Sequence, residues 1–363
     1  MTMAHNTIVQ TRRRVDQPED QLARLRRRLP VCVDLEFFGV PTRIRVGSEQ
    51  ESRQWKHFYK NFPAAQAEAA VEVYLEVEGR PSESFIRSIF RKDFVPKAIW
   101  VHERGQLLLW SRFDRWSSVA TPLPPFMFPP LRDTLTLFSA SAVIAPECRR
   151  GVVFLAPPYQ GKSTLMNMIV RRGGSPLADN ITVTRNGGRE LLPYLTPTGI
   201  REETLQQLPH LAHALTSLSD DWITVSEVTG RVYLAHVDEL HEFEPPVTCE
   251  PALLVFPRDD RDGDGGDHRL TSIVPSDLRQ RLEEQRIGLT RAPMSELDAL
   301  AQRTPAVELR YSLLRSNLER VVDDILERVS EAILSVSRNA VSGASAANAS
   351  TTSSPSMSVS YTP

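Results

Sequence analysis

One stretch constrains this chain more than any other: RRGVVFLAPPYQGKSTLMNMIVRRGGSPLADNITV, residues 149–183. Val152-Val153-Phe154-Leu155 is a continuous apolar run, the pattern of a strand buried on both faces. Gly161-Lys162-Ser163-Thr164 follows after five intervening residues. Leu165, Met168, Ile169 and Arg172 then recur at helical spacing, and Gly173-Gly174 closes the helix. Strand, loop, GKST and helix stand in the order that a phosphate-binding loop requires. A helix N-terminus offers unpaired N–H groups and the positive end of its dipole to phosphate oxygens. The sequence therefore assigns Gln160, Gly161, Lys162, Ser163 and Thr164 to a phosphate cradle. Lys162 would reach the β- and γ-phosphates, and the Ser163 hydroxyl would sit on Mg²⁺. The structural alternative is an ordinary strand-to-helix turn with an exposed lysine.

The loop departs from the usual pattern at its start. Ala156 stands where the first glycine of G-x-x-x-x-G-K-[ST] sits, and Pro157 and Pro158 remove two N–H donors. The imbalance of 27 prolines to 17 glycines in 363 residues is thus felt in the loop itself. The donors from Gln160 to Thr164 remain, so phosphate binding is expected to survive.

Asp179 is the second element. Asn186-Gly187 signals a hairpin after it, which places Asp179 at the end of a strand next to the loop strand. There it would accept the proton of an attacking hydroxyl or hold a metal through water. The alternative is a turn cap. A transporter-type LSGGQ signature and a GTPase-type N-K-x-D reader are both missing from the sequence. LLVF at 253–256 reads as a buried strand, but Pro257-Arg258 follow it where an acidic pair would mark a Walker B strand. Arg258 reads as a loop residue before DDRDGDGGD, a solvated hairpin tip rather than a Ca²⁺ site.

Around this motif the chain divides by composition. Residues 1–30 carry seven arginines and three acids and read as a basic, flexible, partly helical arm. Residues 31–120 read as an α+β region: VCVDLEFFGVPTRIRV turns at Gly39-Val40-Pro41, Val71 to Val77 alternates as a half-buried strand, and AIWVHERGQLLLW turns at Arg104-Gly105. Trp100, Trp110 and Trp116 read as core or sheet-face residues. TPLPPFMFPP at 121–130, with five prolines, reads as a non-helical join held by Phe126, Met127 and Phe128. Residues 131–335 form the half with the loop, ending in a helix whose Leu318, Val321, Val322, Ile325, Val329 and Ile333 share one face, for core packing or an oligomer contact. Residues 336–363, rich in serine, read as a disordered tail.

A net charge of −2 argues against a dedicated nucleic-acid binder. No apolar run is long enough for a membrane span, and the first residues lack the apolar core of a secretory signal. Cys32, Cys148 and Cys249 have no metal-type spacing and suit a reducing cytoplasm.

FLAPPYQGKSTL, RRGG and LADNITV together resemble the kinase domain of HPr kinase/phosphorylase and its serine-kinase relatives. Those carry a G-x-x-G-x-G-K-[ST] loop, a helix, a glycine, and a strand ending in Ala-Asp-Asp or Ser-Asp-Asp. ELLPYLTPTGIREETLQQL is similar to the segment after the acidic pair, and Pro305 to Tyr311 to the closing strand, so the likeness spans roughly residues 131–325. The resemblance implies an α/β fold: a mixed sheet with a P-loop and flanking helices, related to phosphoenolpyruvate carboxykinase, preceded here by the smaller α+β half. It implies ATP- and Mg²⁺-dependent phosphorylation of a serine hydroxyl on a peptide or small protein, and it is compatible with a homo-oligomer. It carries over Gly161, Lys162, Ser163 and Thr164 as the phosphate cradle, Lys162 and Asp179 as catalytic residues, and Ser163 and Asp179 as metal partners. The family's acidic pair is Asp179-Asn180 here, and its histidine falls at Ser139. Two other functions fit the same residues: a nucleotide-binding scaffold without transfer, and a P-loop kinase of a small-molecule hydroxyl.

Overall fold

The computed structural model describes residues 12–15, 18–77, 97–110, 124–226, 230–260, 268–288, 293–314 and 316–349. Trp116, residues 1–11, the first three residues of the 121–130 segment, residues 261–267 and residues 350–363 lie outside them. The fold is mixed α/β, with four sheets among the described residues.

The first half is a six-stranded sheet of β1 (Arg12–Arg14), β2 (Val31–Phe37), β3 (Val40–Val46), β4 (Val71–Val77), β5 (Lys97–Glu103) and β6 (Gln106–Trp110), in the order β1-β6-β5-β4-β3-β2. Glu103 pairs with Gln106 across a two-residue turn, with Arg104 and Gly105 at positive φ, as the sequence predicts. The first turn sits slightly earlier than expected, at Phe38-Gly39, because Val40 already pairs with Phe37.

Two helices cover opposite faces of this sheet. Helix α1 (Pro18–Arg28) buries Leu22 and Leu25 with Leu29, Tyr74 and Leu107. Helix α2 (Glu49–Phe58) buries Trp55 and Phe58 with Val71, Val73 and Leu75. Strand β4 is therefore buried on both faces rather than one. The expectation of a flexible arm over residues 1–30 is likewise corrected for the described part. The leucines at i, i+3 and i+7 give α1 an apolar stripe. Its arginines find partners on the sheet: Arg26 donates to Glu72 at 2.8 Å, Arg28 pairs with Glu76, and Trp100 donates to Glu76 at 3.2 Å.

The 121–130 segment is not a bare join. Residues Pro124–Met127 form a 3₁₀ turn and Pro129–Arg132 the short helix α3. Proline is admitted at the first helical positions, where its missing N–H has no intrahelical partner to lose. Phe126 and Phe128 are fully buried. Phe128 lies 6.5 Å from Phe37, and Phe126 lies 4.8 Å from Tyr194, so one aromatic core runs through both halves.

A polar clasp reinforces this junction. Helix α7 (Val237–Leu240) begins at His236, which is buried. Its Nε2–H donates to the His57 carbonyl at 2.7 Å, and its Nδ1 accepts from Asn61 at 3.3 Å. Burial, helped by Lys60 and His57, pushes the imidazole down to about 4, so it is neutral near pH 7. Lys60 pairs with Asp238 at 3.0 Å and Glu239 at 2.8 Å.

The second half centres on a six-stranded mixed sheet. It contains β8 (Ala140–Ile144), β9 (Gly151–Leu155), β10 (Ser175–Ala178), β16 (Pro251–Asp259), β17 (Arg269–Ser272) and β18 (Ala306–Tyr311), ordered β10-β8-β9-β16-β18-β17. Strands β9, β16 and β18 are mutually parallel; the others run antiparallel to their neighbours. Two three-stranded sheets flank it. One joins β7 (Leu135–Phe138), β11 (Thr182–Arg185) and β12 (Glu190–Leu192); the other joins β13 (Thr198–Arg201), β14 (Ile223–Ser226) and β15 (Gly230–Ala235). Helix α4 (Lys162–Arg171) follows β9; α5 (Glu202–Gln207) and α6 (Leu211–Leu215) follow β13; α8 (Pro275–Gln285) and α9 (Met294–Arg303) precede β18.

Three placements differ from the sequence reading. Strand β10 is not beside the loop strand, because β8 lies between them, paired to both. Strands β16 and β17 do not form a hairpin, because β18 pairs with each. The last helix, α10 (Leu318–Ala349), runs past residue 335 through the alanine-rich start of the expected tail, where no proline interrupts it before Pro355. Its apolar face is used within the chain: Leu318, Val321, Val322, Ile325 and Val329 are buried in the core under β9 and β16. Among the described residues, no helix is long and apolar enough to cross a membrane.

Candidate functional site

The loop between β9 and α4 opens onto a cleft lined by Gly161, Lys162, Ser163 and Thr164, together with Ser139, Asn180 and Arg201. Helix α4 starts at Gly161, whose φ of 75° is left-handed. A β-carbon there would run into the Tyr311 hydroxyl and lie 3.2 Å from Leu313 Cδ1. Glycine at this position is therefore required by conformation and by space.

Lys162 is buried, and its Nζ donates to the carbonyls of Ala156 at 2.7 Å and Pro157 at 2.9 Å. The loop thus wraps around the amine. The substitutions at the start of the loop are compatible with this, because alanine and proline keep the carbonyl that the lysine uses. Burial lowers the amine to about 8; Asp179 opposes the shift and Arg201 adds to it.

Asp179 follows β10 and is 2% exposed. Its two oxygens collect hydroxyls from three elements. Ser163 on α4 donates at 2.8 and 2.9 Å, Ser141 on β8 donates to Oδ1, and Thr198 on β13 donates to Oδ2. The interposed strand β8 therefore supplies part of the site. Asn180, at φ 66°, lies 3.5 Å from the same carboxylate through Nδ2.

The structure brings Gly161, Lys162, Ser163, Thr164 and Asp179 together, with two qualifications. The Gln160 side chain faces away from the cleft: its Oε1 accepts from the Asp259 N–H at 2.8 Å, and its carbonyl accepts from the Tyr311 hydroxyl at 3.0 Å. The Thr164 hydroxyl is buried against Thr204 at 3.0 Å, which ties α4 to α5 and leaves its backbone N–H as the cradle group.

Several site residues escaped the sequence reading. Asp259 ends β16, three residues beyond LLVF, and also accepts from the Leu313 N–H at 2.9 Å. It shapes the loop through Gln160 from the strand neighbouring β9. Arg258 beside it is exposed and does not line the cleft. Arg201 ends β13 and lines the cleft with its guanidinium 4.8 Å from the Tyr159 ring centre. Its one local signal is a lone arginine in LTPTGIREE. Ser141 and Thr198 carry no signal beyond being hydroxyls in short strands.

Among the described residues, no group of three or more His, Cys, Asp or Glu side chains converges on a metal position. Ser163 and Asp179 form a compact all-oxygen pair at the mouth of α4. That donor set fits Mg²⁺, which prefers oxygen and takes one or two protein ligands alongside waters and phosphate oxygens. Compared with protein-family models and with curated proteins, the chain matches none.

Proposed function

We propose that this protein is an ATP- and Mg²⁺-dependent phosphotransferase acting on a serine hydroxyl of a peptide or small protein, in the manner of the HPr-kinase-like P-loop enzymes. The observation that carries the reading is the cradle at the start of α4. A buried lysine is held inside a closed loop, and the adjacent Ser163 is clamped by Asp179. Backbone N–H groups at the helix start and the Lys162 ammonium would bind the phosphates. Ser163 and Asp179 would hold Mg²⁺, whose charge offsets that of the phosphates. Both Asp179 oxygens already accept hydroxyl hydrogens, so its role in this reading is to hold Ser163 and the metal rather than to take the acceptor's proton. Phosphoryl transfer tolerates this, since its loose transition state depends mainly on positioning and electrostatics.

The same saturation of Asp179, with serine at position 139, favours a second reading: a nucleotide-binding scaffold without transfer. Labelled ATP, Mg²⁺ and serine-containing peptides separate the two. Transfer to serine that falls at least ~100-fold in Lys162→Ala supports the kinase. Nucleotide-dependent stabilisation of roughly 2–3 kcal/mol at saturation without transfer supports the scaffold. Label appearing only on metabolite hydroxyls would point to a small-molecule kinase, and neither binding nor transfer overturns all three.

The Lys162 amine also sets a pH dependence. Phosphate binding needs it charged, and in the free protein it loses its proton near pH 8. Bound phosphate raises its pKa, so binding takes up a proton above that pH. Affinity for ATP should fall by up to ~tenfold per pH unit from about pH 8 towards 10. Titration calorimetry at several pH values checks this, and Lys162→Met should flatten the profile.

A further inference from the structure

Arg201 sits in the cleft in an unsatisfied state. Its Nε is buried and has no hydrogen-bond partner among the described residues. Its guanidinium rests over the Tyr159 ring at 4.8 Å rather than against a carboxylate. Lys162 lines the same cleft, and the two positive groups repel each other, even with the Glu203 carboxylate on the cleft wall and Asp179 behind the loop. Buried unpaired donors and adjacent like charges are both costly. The cost disappears when an anion with several oxygens enters. A guanidinium suits that anion better than an ammonium does, because Nε and a terminal nitrogen form a fork matching two phosphate oxygens.

Tyr159 is the other half of the arrangement. It holds a left-handed φ of 68°, a conformation uncommon for an aromatic residue and one that concentrates at ligand sites. The ring lines the same cleft. It therefore occupies the guanidinium face while the cleft is without a ligand.

We propose that Arg201 reads the terminal phosphate of the nucleotide and exchanges the Tyr159 ring for it, so that the Tyr159–Arg201 pair selects a nucleoside triphosphate over a diphosphate. This rests on the phosphate-cleft reading above. Arg201 ends β13, three residues after Thr198, which donates to Asp179. The strand that helps hold Asp179 thus also delivers the arginine to the same cleft.

Calorimetric titration of the whole 363-residue chain with ATP and with ADP, each with Mg²⁺, tests the proposal. Arg201→Ala is expected to weaken ATP about tenfold or more while leaving ADP within about twofold. Arg201→Lys should recover only part of the loss, because it lacks the fork. Tyr159→Ala keeps the arginine and removes its competitor, so ATP should bind a few-fold tighter and ADP unchanged. Equal losses for both nucleotides in Arg201→Ala would make the residue merely structural and overturn the proposal. So would an unchanged ATP-to-ADP ratio in Arg201→Lys and Tyr159→Ala, the variants to read if Arg201→Ala does not fold. A wild-type chain that binds neither nucleotide overturns the phosphate-cleft reading and this inference together.

Discussion

Replacing Asp179 with alanine is expected to remove roughly 3–5 kcal/mol of stability and to abolish Mg²⁺-dependent nucleotide binding. The size follows from what the carboxylate satisfies. Ser141, Ser163 and Thr198 each direct a hydroxyl hydrogen at it, from β8, α4 and β13 respectively. Ser141 and Thr198 are fully buried, so water cannot replace the lost acceptor. Each orphaned donor costs about 1–3 kcal/mol, reduced where a hydroxyl can rotate to another acceptor. The carboxylate is also the link that holds β13 and α4 to the end of β10. Urea unfolding should show a lower midpoint. Asp179→Asn keeps the volume and one acceptor oxygen and should lose less, about 1–2 kcal/mol, while still losing metal-dependent binding. An Asp179→Ala protein with unchanged midpoint and nucleotide affinity would leave the hydroxyl cluster without the role assigned to it.

Gly161→Ala should be nearly as damaging, for a different reason. The new methyl would overlap the Tyr311 hydroxyl and crowd Leu313, and the backbone would keep a left-handed φ. Tyr311 cannot simply swing aside, since it is 2% exposed and donates to the Gln160 carbonyl. Overpacking and left-handed strain together amount to roughly 2–4 kcal/mol. The loop would shift before its stability was lost, so nucleotide binding should fall first. Combining the change with Tyr311→Phe separates the two causes. Removing the hydroxyl relieves the overlap but not the strain, so the double variant should be less destabilised than the sum of the single ones. Strict additivity of the two stability losses would mean that the contact with Tyr311 is not the source.

The part of the site that was legible in the sequence is the part made by neighbours along the chain. Strand β9, the GKST turn and α4 follow one another without a break, and their patterns are local. Asp179 was within reach for a similar reason, since it lies only 16 residues after Ser163. Residues contributed from a distance gave no comparable signal. Thr198, Arg201, Asp259 and Tyr311 reach the loop through sheet order, and sheet order depends on which strands pair. The sequence placed β10 against β9; in the structure β8, joined to β9 by a short connection, pairs with it on one edge and with β10 on the other.

The same limit applies to the first half. The turn at Arg104-Gly105 could be read because two residues dictate it. The role of α1 could not, although its leucines are regularly spaced. A run of arginines looks like solvated charge until Glu72 and Glu76 are known to face it. Composition likewise suggested a linker at 121–130, where the structure places two phenylalanines at the centre of the core.

That last placement bears on how the chain can change over time. A true linker lets one half be exchanged, lengthened or lost while the other carries on. Here Phe126 and Phe128 face Tyr194 on one side and Phe37 on the other, so any alteration between residues 124 and 130 is felt on both sides. A recombination point in this segment would cut through the core instead of between two modules.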